Sequence, residues 1–212
     1  MSAAPLTIDA VMALAPVIPV VVLDDPDAAV PLARALVAGG LPAIEVTLRT
    51  PAALEAIARI AADVPDAVVG AGTVTTAAQA ADAAAAGARF LVAPGQTPRL
   101  LDALEDRGLP FLAGTATASD LVALRERGIA TAKFFPAAAN GGPAALRALG
   151  APFPELRFCP TGGIDPNNVA DYLALGNVAC VGGSWMAAPA AIAAGDWPGI
   201  EAAARAARAA SA

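Results

Sequence analysis

The chain has 212 residues, 57% of them hydrophobic and 15% charged, a length that suits one hydrophobic core and leaves no room for a second full domain. Nineteen acidic residues against thirteen basic ones give a net charge of −6, which argues against a nucleic-acid partner because phosphate-backbone binding rests on Lys and Arg. Histidine is absent, which excludes Ser/His and Cys/His nucleophile pairs and the usual zinc ligands and leaves proton transfer to carboxylates, Lys, Tyr or water.

In chain order, a helix is expected over about Leu6 to Ala15, then a first strand at Val17 to Leu23. Further strands are predicted at Ala43 to Leu48, Ala67 to Ala71, Phe90 to Ala93, Pro110 to Ala113, Thr131 to Phe135, Leu156 to Cys159 and Val178 to Val181. Alanine-rich helical stretches separate them and end in glycines such as Gly39-Gly40, Gly87, Gly108, Gly128 and Gly176, which supply left-handed helix C-caps. An alanine-rich helix from about Ile200 closes the chain. Eight βα units are the number that closes a parallel barrel, so the expectation is a single (β/α)8 TIM barrel over residues 1–212, with the N-terminal and C-terminal helices as extras.

A doubly wound sheet is the alternative, but it calls for a dinucleotide fingerprint after an early strand. Gly70-Ala71-Gly72-Thr73 lacks the third glycine and reads instead as a strand end that makes room for a ligand near Thr73. The charge-free stretch from Tyr172 to Gly195 is broken by glycines, Asn177 and Pro189, so no membrane partner is expected. Cys159 and Cys180 sit inside apolar runs, and the first residues carry no basic export signal, which points to a reduced, cytoplasmic protein.

Strand alternation carries the chemistry. Ile44, Val46 and Leu48 share one face of the second strand, which sends Glu45, Thr47 and Arg49 to the interior. A buried charged pair is costly unless it is paired or used, and a purely structural Glu45/Arg49 salt bridge is the competing reading. In the sixth strand the same parity turns Lys133 inward. Twelve of the thirteen basic residues are arginines, so Lys133 is the single lysine, and only a primary amine can form an imine. Thr161-Gly162-Gly163 after the seventh strand and Gly182-Gly183-Ser184 after the eighth fall where parallel barrels hold phosphate, through backbone N–H groups, Ser184 and a helix N-terminus. Asp24, Asp25 and Asp165 read as turn and helix caps, and the two cysteines as small apolar residues.

Gly40 to Arg49, Lys133-Phe134-Phe135-Pro136-Ala137, Gly70-Ala71-Gly72-Thr73, Pro94-Gly95, Asn140-Gly141-Gly142 and Cys159-Pro160-Thr161-Gly162-Gly163 together resemble the 2-keto-3-deoxy-6-phosphogluconate (KDPG) aldolases. The resemblance implies a class I aldolase, without metal or other cofactor, assembled as a homotrimer. Its small-molecule partners would be a phosphorylated 2-keto acid and pyruvate. The family cleaves KDPG to pyruvate and D-glyceraldehyde 3-phosphate, and members often accept 4-hydroxy-2-oxoglutarate. Lys133 would then form the imine and Glu45 act as acid and base. Arg49 and Thr73 would hold the pyruvyl carboxylate, and Pro94 and Phe135 would line the pocket. Thr161 would approach the hydroxylated carbons, and Gly162, Gly163 and Ser184 would receive phosphate. Ala132 and Ala138 depart from the family pattern. The alternatives are cleavage of the 6-phosphogalactonate analogue, a phosphosugar isomerase or epimerase, and a catalytically silent phosphometabolite-binding barrel or trimeric scaffold.

Overall fold

In a computed structural model, which describes residues 5–211, strands and helices alternate along the chain. The order begins with α1 (Ile8–Met12), β1 (Val17–Val21), α2 (Ala29–Ala38), β2 (Ala43–Thr47), α3 (Ala53–Asp63), β3 (Val68–Gly72) and α4 (Ala77–Ala85). It continues with β4 (Leu91–Val92), α5 (Pro98–Glu105), β5 (Phe111–Leu112), β6 (Gly114–Thr115), α6 (Ala118–Glu126), β7 (Thr131–Phe134) and α7 (Gly142–Gly150). It ends with β8 (Arg157–Pro160), α8 (Val169–Leu173), β9 (Val181–Gly183), α9 (Pro189–Ala193) and α10 (Trp197–Arg208).

The strands pair in parallel, in a six-stranded sheet of order β5-β4-β3-β2-β1-β9 and a three-stranded sheet of order β6-β7-β8. Neighbours in the sheets are mostly neighbours in sequence, without the order reversal of a doubly wound sheet. This is an α/β fold built on parallel strands. The two sheets touch at both ends. Lys133 N–H donates to the carbonyl of Ala113, the residue between β5 and β6, at 2.9 Å. Isolated bridges join Phe158 to Val178 and Thr161 to Gly182.

Most predicted strands shift by one or two residues at their ends, and two differ more. The fifth is divided into β5 and β6 at Ala113, whose carbonyl turns to the neighbouring sheet. The last begins at Val181 rather than Val178. Between the two bridges, Phe158 to Thr161 is three steps and Val178 to Gly182 is four, so one extra residue interrupts the ladder as a bulge does. The terminal helices also shift. Thr7 caps α1, its hydroxyl accepting from Ala10 N–H at 3.1 Å, and α1 ends before the Pro16 turn. Asp196 accepts from Gly199 N–H at 3.0 Å and starts α10 three residues ahead of Ile200.

Alternation along each strand sorts the apolar side chains into two layers. Val17, Val21, Ile44, Val46, Val69, Ala71, Leu91, Ala132, Phe134, Phe158 and Val181 pack outward against helix residues such as Leu32, Leu36, Ile57 and Leu124. Met12, Ile18, Ala43, Val68, Phe90, Val92, Leu112, Cys159 and Cys180 form the inner cluster. Glu45 has the parity of Ala43 and Lys133 is the register partner of Cys159, so both charged residues stand above this apolar floor. Asp25 caps the short 3-10 turn ahead of α2, accepting from Asp27 N–H at 2.9 Å. Asp165 closes a tight turn on Asn167 N–H at 2.7 Å, whereas the N-cap of α8 is Asn168.

Candidate active site

The central pair comes from strands far apart in sequence. Lys133 Nζ donates to Glu45 Oε1 at 3.1 Å, and both side chains are only 5% exposed. Two charges stripped of water at this depth gain little net stability even when well paired, because each has given up its hydration. The competing reading, a Glu45/Arg49 salt bridge, is not the arrangement found, since Glu45 pairs with Lys133 instead. β2 ends at Thr47, and Arg49 lies beyond it, exposed at the rim, where its Nε donates to Thr73 Oγ1 at 3.4 Å. The inward parity holds for Glu45 and for Thr47, whose hydroxyl donates to the Val21 carbonyl at 3.0 Å, but the chain turns before it reaches Arg49.

Thr73 has φ +60°, a left-handed conformation that costs a β-branched residue strain and that here brings its hydroxyl to Arg49. Phe135 places its ring centroid 5.3 Å from Lys133 Nζ, within reach of a cation–π contact. Pro94 follows β4, and its carbonyl abuts Gly114, the register partner of Lys133. The Thr115 hydroxyl donates to the Lys133 carbonyl at 3.2 Å and so steadies that strand.

Beside the pair opens a cavity of about 270 Å³, lined by Arg49, Phe135, Thr161, Gly162, Gly163 and Ser184 among others. Six of the ten residues singled out from the sequence thus share one cavity; Glu45 is the register partner of Val20 on its wall, Lys133 lies against Phe135 and Thr73 against Arg49, whereas Pro94 abuts Gly114. Thr161 is 6% exposed, and its Oγ1 is buried without a hydrogen-bond partner, a polar atom prepared for one from outside the chain. Among the described residues no acceptor takes the N–H of Gly162 or Gly163, whose φ values of +100° and +73° suit glycine. Ser184 is followed by only a 3-10 turn, Trp185–Ala187.

Three glycine contacts went unread in the sequence. Gly70 and Gly72 make room for the Phe90 ring and the Glu45 carboxylate rather than for a ligand beside Thr73. Gly182 leaves the space that Thr161 Oγ1 occupies. The apolar cavity wall of Val20, Val22 and Ile164 was missed as well, because nothing in an apolar residue's identity marks it as lining a cavity. Cys159 and Cys180 are buried as expected. Their mutual hydrogen bond and then burial push the Cys180 thiol well above its usual range.

Parallel strands that deliver an amine and a carboxylate to a dry interior, next to a glycine-lined cavity at their C-terminal ends, define an α/β protein of enzyme type. The family model for KDPG and KHG aldolases matches residues 8–203. The 2-dehydro-3-deoxy-phosphogluconate aldolase of Pseudoalteromonas atlantica is 53% identical over 185 residues, 87% of this chain and 86% of that protein. The crystal structure of the KDPG aldolase of Legionella pneumophila, with pyruvate captured at low pH as a covalent carbinolamine intermediate, superposes with a TM-score of 0.93 at 47% identity. It covers 95% of this chain and 98% of its own. The KDPG aldolase of Zymomonas mobilis with 3-phosphoglycerate has a TM-score of 0.90 at 46% identity, covering 97% of both chains. The chain belongs to the KDPG and KHG aldolase family.

Proposed function

We propose that the protein is a class I aldolase that cleaves 2-keto-3-deoxy-6-phosphogluconate to pyruvate and D-glyceraldehyde 3-phosphate, and that it also takes 4-hydroxy-2-oxoglutarate. The observation that carries this reading is the 3.1 Å contact of the chain's single lysine with Glu45 in the interior. Lys133 attacks the C2 ketone to give a carbinolamine, and loss of water gives the protonated imine, which accepts the electron pair released when the C3–C4 bond breaks. Glu45, within reach of Nζ, takes the proton from the C4 hydroxyl, directly or through one water, and returns a proton to the enamine carbon. Hydrolysis of the imine then frees pyruvate.

Arg49 and Thr73 hold the carboxylate, and the guanidinium fork orients it as well as binding it. Phe135 and Pro94 flank the amine, and Thr161 offers its unpartnered hydroxyl to the substrate's own hydroxyls. Gly162, Gly163 and Ser184 receive the phosphate. The same reading takes the parallel strands, joined through Ala113 and the two bridges, as one closed (β/α)8 barrel that is the chain's single domain, working as a homotrimer in the cytoplasm.

The test is to incubate the protein with pyruvate and borohydride and to weigh the intact chain. A reduced adduct mapping to Lys133, together with turnover of the phosphorylated 2-keto acid, is the expected result. An unchanged mass would point instead to an isomerase or a binding protein on the same fold.

A further inference from the structure

We infer that Gly72 is a positioning residue for the reaction, because the carboxylate of Glu45 lies in the space that any larger side chain at Gly72 would fill. The inference rests on the reading of Glu45 as the acid and base. Gly72 is the last residue of β3, buried, and the register partner of Thr47 in β2. A Cβ at Gly72 would lie 2.2 Å from Glu45 Oε1, 2.5 Å from its Cγ and 2.7 Å from its Cδ. Non-bonded carbon atoms settle about 3.5–4.0 Å apart, so a methyl group there moves the carboxylate by roughly 1 Å.

Backbone conformation is not what keeps this position a glycine. Gly72 is outside the positive-φ set that includes Gly162 and Gly163, so its main chain suits an L residue. What first obstructs a side chain is Glu45: the three nearest atoms to the missing Cβ all belong to it. Of these, Oε1 is the oxygen that accepts from Lys133 Nζ at 3.1 Å. Gly72 therefore acts through Glu45 and sets the distance between carboxylate and amine, while standing outside the residues that line the cavity. A misplacement of 1 Å in a proton-transfer group costs on the order of a hundredfold in rate.

The experiment compares Gly72→Ala, Glu45→Ala and the double variant in steady-state turnover of the phosphorylated 2-keto acid across pH. Gly72→Ala is expected to lower kcat about a hundredfold with KM little changed, and to shift the pH–rate profile as the amine loses its partner. Alanine at position 45 lacks all three atoms that would meet the new methyl group. Adding Gly72→Ala to Glu45→Ala should therefore cost almost nothing further in the residual turnover. Wild-type kcat and pH profile in Gly72→Ala, or an equal loss in both backgrounds, would overturn the inference. Should Gly72→Ala not fold, Gly72→Ala with Glu45→Ala is expected to fold like Glu45→Ala alone; failure of that pair also overturns it. A wild type that takes no adduct at Lys133 sinks the aldolase reading itself. An adduct in the wild type with undiminished Gly72→Ala turnover sinks this inference only.

Discussion

Replacing Lys133 by arginine keeps a cation opposite Glu45 but removes the primary amine. Turnover and borohydride trapping should both disappear while circular dichroism and the thermal midpoint stay near the wild type, since imine formation alone has been deleted. Glu45→Gln keeps the shape but not the base. Its kcat should fall by about 10²- to 10⁴-fold, the range for a general base, with a much smaller change in KM. The reverse pattern would make Glu45 a partner of Lys133 in structure only. Cys180 is a neutral thiol held by Cys159 and burial, so alkylating reagents should label neither cysteine until the protein is unfolded, as quantified by mass spectrometry. Parity along two short strands was enough to place Glu45 and Lys133 in the interior. It failed at Arg49, because the end of a strand depends on hydrogen bonds to neighbours that the sequence does not display. The contacts of Gly72 and Gly182 were hidden for a related reason, since they depend on which side chain leans across from another strand.

Among the elements, α6 offers a pH-dependent test. Burial pushes the Asp120 carboxyl up, but the N–H groups of Ala116 and Thr117 and the Thr117 hydroxyl outweigh it and hold the group below its usual range. Asp120 Oδ2 accepts from both N–H groups at 2.9 Å, and Thr117 Oγ1 accepts in return from Asp120 N–H at 3.3 Å, a reciprocal capping box. A carboxyl depressed in the folded state stabilises above its unfolded value and loses that contribution as pH falls through the folded value. Asp120→Ala should therefore cost about 1 kcal/mol at neutral pH in urea unfolding, and the gap should close below about pH 4. Phe158→Ala removes a fully buried ring between sheet and helices and should cost about 3–5 kcal/mol in the same measurement. The βα alternation was legible from glycine caps and β-branched runs. The division of the fifth strand and the late start of the last were not, because each follows from pairing with a strand elsewhere in the chain.

At the scale of the whole molecule, Glu45 and Lys133 lie 88 residues apart and belong to different sheets, so their contact exists only when both sheets are in place. Light scattering on the purified protein should return three chain masses if the homotrimer is correct. The parallel α/β class was readable from the repeat, while the joining of the sheets through Ala113 and two isolated bridges had no sequence signal of its own. That the nitrogen proposed to form the imine belongs to the sole lysine has a practical consequence for spectroscopy. Protein grown on isotopically enriched lysine will carry one side-chain resonance, with no assignment problem and no background. Protonation, imine formation and product departure could then be followed at that one signal in the unmodified enzyme.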